Sequence, residues 1–166
     1  MGNRATVVFT DGKGNFSPAV YLHWNGGPES IYGFLEELAR RDVRADQEYE
    51  CARFIQLVGE FFDQDEQCGL SLGVVNGPRS DAVSDLNHIQ TDHGNNGLYL
   101  VDRTGPHLKV RRFTEERRGK DEWGFKEWAP ERVEQERAEA EGHTYRAEFR
   151  EFYAALADKS KLKAAA

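Results

Sequence analysis

Ala5-Thr6-Val7-Val8-Phe9-Thr10 and Ala19-Val20-Tyr21-Leu22-His23-Trp24 are the two stretches that decide the fold. Both are rich in β-branched and aromatic residues and read as strands. Between them, Asp11-Gly12-Lys13-Gly14-Asn15 supplies glycines for a tight loop. The pair therefore predicts a β-hairpin, with Pro18 at the entry of its second strand, where a missing N–H is tolerated. Val20, Leu22 and Trp24 share one face of that strand, Tyr21 and His23 the other.

Working outward, Asn25-Gly26-Gly27 breaks the strand, and Pro28 with Glu29 opens a helix. Ile31, Phe34, Leu35 and Leu38 give that helix one apolar face. A second helix is predicted from about Asp46 to Phe62, striped by Cys51, Phe54, Ile55, Val58 and Phe62. Leu70, Leu72 and Val74 alternate with Ser71 and Gly73 as a third strand, ending at Asn76-Gly77-Pro78. Residues 79–97 are polar, with a helical turn near Val83 to Ile89. Leu98 to Asp102 and Leu108 to Phe113 read as a second hairpin.

From Thr114 the composition shifts. Arg117 to Glu122 reads as a solvated loop, and Trp123, Phe125 and Trp128 are spaced too irregularly for one helical face. Pro130 starts a helix to about Glu141, and Gly142 interrupts it. A last helix carries Tyr145, Phe149, Phe152, Tyr153 and Leu156 as a stripe, with a frayed end from Lys159. The order predicts an α+β fold: an antiparallel sheet of about five strands covered by two helices, plus a C-terminal helical segment. It divides as an acidic body over residues 1–113 and a charge-balanced tail over 114–166.

Charge sharpens this division. The 166 residues carry 22 basic and 29 acidic side chains, net −7. Residues 1–110 hold 9 basic and 16 acidic, and the remaining 56 hold 13 of each, so the whole deficit lies in the first part. Neither part has the excess of cations that phosphate neutralisation needs, which argues against direct nucleic-acid binding. Apolar runs of membrane-spanning length are missing from the sequence. Two cysteines and no secretory pattern lead us to expect a reduced, cytoplasmic protein.

Four chemistries compete for the candidate residues. His23, His88, Asp92 and His93 are ligand types for zinc, the fallback basis of a small metal-dependent hydrolase, but His-x4-His is not an established ligand spacing. Cys51 sits on an apolar helix stripe and Cys68 beside Asp65 and Glu66, so neither thiol reads as activated. Gly12-Lys13-Gly14 and Asn25-Gly26-Gly27 match no nucleotide fingerprint, and no cofactor is expected. Macromolecular recognition fits best. Residues 36–66 hold ten carboxylates against four arginines, with Glu36, Glu37, Glu48, Glu50, Asp63, Asp65 and Glu66 as the charged surface. Trp123, Trp128, Phe149 and Tyr153 are the apolar anchors of the tail, which docks on its own body, a twin chain or a partner.

Met1-Gly2-Asn3-Arg4-Ala5-Thr6-Val7-Val8-Phe9, then Ser17-Pro18-Ala19-Val20-Tyr21-Leu22-His23-Trp24-Asn25-Gly26-Gly27, resembles the start of small bacterial proteins of prophages and mobile elements, a group with no assigned activity. The likeness extends through Glu48 to Phe54 and Leu70 to Val74, within the first part of the chain. It implies a mobile-element context, in which small acidic proteins inhibit host defence or nucleic-acid-handling complexes, as anti-CRISPR proteins do. The expectation is thus a non-enzymatic module that binds a basic or nucleic-acid-handling host protein, with a structural homodimer as the alternative.

Overall fold

The structure, a computed structural model, describes residues 3–41, 44–62, 69–73, 96–103, 108–120 and 123–164. In chain order these form β1 (Ala5–Thr10), β2 (Ala19–Leu22), α1 (Pro28–Arg40), α2 (Gln47–Phe61), β3 (Leu70–Gly73), β4 (Leu98–Asp102), β5 (Lys109–Arg117), β6 (Trp123–Glu127), α3 (Pro130–Glu141) and α4 (Thr144–Ala164). The class is α+β, as the hairpin-rich order predicts. The helical turn expected near Val83 to Ile89 lies outside the described residues.

The sheet departs from the expectation in two ways. It has six strands, ordered β3-β2-β1-β4-β5-β6, and it is mixed rather than antiparallel. β1 and β4 run parallel at its centre, Thr6 opposite Leu98 and Phe9 opposite Val101. The other four pairings are antiparallel, including both expected hairpins. The physical reason lies in the two central strands. All six residues of β1 are buried, as are Leu98 to Val101 of β4, so each is covered on both faces, as central parallel strands are.

The extra strand is β6. Residues 114–117 prolong β5 and pair with 123–126, so the boundary at residue 113 falls inside a strand. Trp123, Phe125 and Glu127 are two residues apart, a strand period where a helical one fails. The turn before α1 is sharp. Asn25 has a positive φ of 54°, and a Cβ on Gly26 would stand 2.5 Å from the Ala5 backbone nitrogen, so only glycine fits there.

Two helices, α1 and α2, lie on one sheet face, and α4 packs over them. Ala5, Val7, Phe9, Val20, Leu22, Tyr99 and Val101 point into a core with the apolar faces of α1 and α2. Asp46 caps α2, its carboxylate accepting from the Tyr49 N–H at 2.8 Å. α4 lies over the seam between them: Phe149 stacks on Phe61 with centroids 4.4 Å apart, meets Phe34 edge-on at 4.9 Å, and is 1% exposed. The Tyr153 hydroxyl donates to the Leu57 carbonyl at 2.6 Å. Val8, Ala19, Leu98, Leu100 and Phe113 form a smaller cluster on the opposite sheet face.

Helix α3 buries little apolar surface, only Val133 and Ala140. A polar pin holds it instead. The guanidinium of Arg112, 1% exposed, donates from Nε and Nη2 to Glu136 of α3 and from Nη1 to the Leu98 carbonyl. Tyr32 also donates to Glu136. Arg112 lies 3.5 Å from the Tyr99 ring centroid, and Arg132 lies 3.6 Å from that of Trp128.

Candidate functional site

The acidic residues singled out from the sequence separate once folded. Glu37 is buried and accepts from both Arg40 and Arg41. Burial pushes its carboxyl upward, but these hydrogen bonds prevail and hold it below its usual value. Glu50 is 1% exposed and accepts from Arg103 at 3.2 Å. Here burial wins and the carboxyl is raised. Neither belongs to an open acidic surface, because each faces inward with its own cation. Glu36 lies on the surface in ion pairs with Arg146 and Arg150, and Glu48 is exposed. Asp63, Asp65 and Glu66 lie outside the described residues.

The apolar anchors divide likewise. Phe149 and Tyr153 are core residues of this chain, so the stripe of the last helix docks on its own body rather than on a partner or a twin. Trp128 is half-buried, donating from Nε1 to Thr114, with the guanidinium groups of Arg112 and Arg132 over its ring. Trp123 takes its place in β6. His23 is half-buried, edge-on to Tyr21 at 4.6 Å, whereas His88, Asp92 and His93 lie outside the described residues. Among the described residues no three His, Cys, Asp or Glu side chains stand close enough to hold a metal ion. Burial raises the Cys51 thiol, against a nucleophilic role.

What the fold does assemble is a groove between α1 and α4, about 520 Å³ in volume. Gly33, Phe149, Tyr153, Ala154 and Ala157 form its apolar part. A Cβ on Gly33 would stand 2.9 Å from both Arg146 Nη1 and Phe149 Cδ1, so this glycine lets the helices approach. Charges of both signs line the rest, and they are largely paired with one another. Arg40 is held by Glu37, Lys161 faces Asp158 at 3.4 Å, and Arg150 bridges Glu36 and Glu141. Arg146 is different. It is 4% exposed, and its Nη2 donates to Glu36 and Glu141, but Nε and Nη1 have no acceptor among the described residues.

A second, smaller cavity of about 300 Å³ opens at the carboxyl ends of the parallel pair, where Thr10, Asp11 and Arg103 meet the first turn of α2. Its Asp11 is occupied by its own loop, accepting from Lys13 and Asn15. Arg146 and Gly33, the two residues that shape the larger groove, were not among the sequence candidates. A signal for Arg146 was present: it stands three residues before Phe149 and seven before Tyr153, a cation on the apolar face of an amphipathic helix.

Comparison with known proteins finds no matching family model, no matching curated protein and no matching solved structure. The functional reading therefore rests on the groove. No helix among the described residues is long and apolar enough to cross a membrane.

Proposed function

We propose that this protein works by binding another protein rather than by catalysis, and that the α1–α4 groove is the surface it uses. The observation that carries the reading is the groove's composition: an apolar floor between two helices, bordered by charges that already neutralise one another. A partner segment laid there covers apolar surface without stripping water from isolated charges, the physics of helix-in-groove recognition. α3 adds five carboxylates against two arginines, with Glu131, Glu134 and Glu139 exposed, which favours the approach of a basic protein. In the mobile-element setting that the N-terminal resemblance implies, the partner belongs to a host defence or nucleic-acid-handling complex, and binding inhibits it.

Ala154 is exposed and lines the groove, so Ala154→Trp fills it without touching the core. Affinity capture from host lysate, read by mass spectrometry, is expected to recover a partner with the wild type and lose it with this variant. Equal capture by both proteins overturns the assignment of the groove.

A further inference from the structure

We infer that Arg146 is a carboxylate-receiving residue of the α1–α4 groove, and that the groove's occupant is an acidic–apolar segment of a partner protein. The inference rests on the binding function proposed above.

A buried guanidinium with donors left unpaired is unfavourable, and Arg146 has two such nitrogens. Nη1 is enclosed beside Gly33, a residue of the groove wall, where a Cβ would stand 2.9 Å from it. The site therefore has donor capacity that its own chain does not fill. The ligand is a carboxylate because a carboxylate already sits there. Glu36 accepts from Arg146, yet it also accepts from Arg150 through Nε at 2.8 Å and Nη2 at 3.1 Å. Glu36 can thus leave Arg146 while Arg150 keeps it paired, and an incoming carboxylate takes its place on the buried guanidinium. A doubly charged phosphate fits less well, since Glu36 and Glu141 remain beside it. Next to Arg146, Phe149, Ala154 and Ala157 receive an apolar side chain adjoining the acid. Glu36 acts in the free protein as a built-in competitor.

The test follows the Arg146 Nε–H resonance of the full ¹⁵N-labelled chain during titration with acetyl-Phe-Glu-Leu-amide or its Gln counterpart. The Glu peptide is expected to shift the resonance saturably, and the Gln peptide to bind about tenfold more weakly or worse. In Glu36→Gln the Glu peptide is expected to bind about threefold more tightly, because the competitor is gone. A gain of this kind does not arise from misfolding. Ala154→Trp should abolish the response while amide resonances remote from the groove stay in place. Equal binding of the two peptides, no saturation, or weaker binding in Glu36→Gln overturns the inference. So does an equal response to acetate or phosphate alone, which would mark a site for free anions. Partner capture that depends on Ala154 while the peptides fail overturns this inference but not the binding function; capture indifferent to Ala154 overturns the assignment of the groove and this inference with it.

Discussion

At Gly33 a missing side chain decides how closely two helices meet. A methyl group there would press on Arg146 Nη1 and Phe149 Cδ1, both at 2.9 Å, and Phe149 is wedged among Phe34, Phe61 and Tyr145. Gly33→Ala is expected to destabilise the fold by about 1–3 kcal/mol, the range for overpacking, read as a lower urea midpoint. Arg112 makes the complementary case. Replacing it by Met leaves Glu136 without its buried cation, for an expected loss of about 3–5 kcal/mol. The double variant Arg112→Met/Glu136→Leu removes both charges and should recover much of that loss in the same urea titration. Failure to recover would show that the stacking on Tyr99 and Trp128 matters more than the ion pair.

Among the elements, α4 turns from a tail into part of the body. Phe149→Ala should cost about 3–5 kcal/mol, as for an aromatic removed from a packed core, while Leu162→Ala, 73% exposed on the same helix, should change stability by less than about 0.5 kcal/mol. Chemical denaturation of the two variants checks the contrast. This helix was readable in advance because its apolar residues recur at helical spacing, and α1, α2 and α3 were readable for the same reason or from their opening proline or cap. The parallel pairing of β1 with β4 was not. Local pattern marks a stretch as a strand, but its neighbour is chosen by contacts many residues away. β6 was missed because five residues carry too few alternations to stand out beside a solvated loop. The acidic surface was misplaced at Glu37 and Glu50 because charge along the sequence does not reveal which carboxylates turn inward to meet Arg40, Arg41 or Arg103.

At the scale of the whole molecule, two buried carboxylates among the described residues respond to acid in opposite senses. Glu37 is held below its usual 4.5, so its contribution is present above that value and is lost as pH falls through the lowered one. Glu50 is raised above 4.5, so the folded state takes up its proton more readily, and stability contributed by this group rises as pH falls from neutrality through the raised value. Urea midpoints measured from pH 3 to 8 should therefore lose part of their acid decline in Glu37→Gln. In Glu50→Gln they should lose a gain on the mildly acidic side. The same molecule is also assembled out of sequence order. Thr6 pairs with Leu98, 92 positions later, and at about 5–20 residues per second the ribosome delivers β4 on the order of ten seconds after β1. Throughout that interval a strand destined to be buried along its whole length has one flank vacant, an edge open to wrong pairing until its central partner is synthesised.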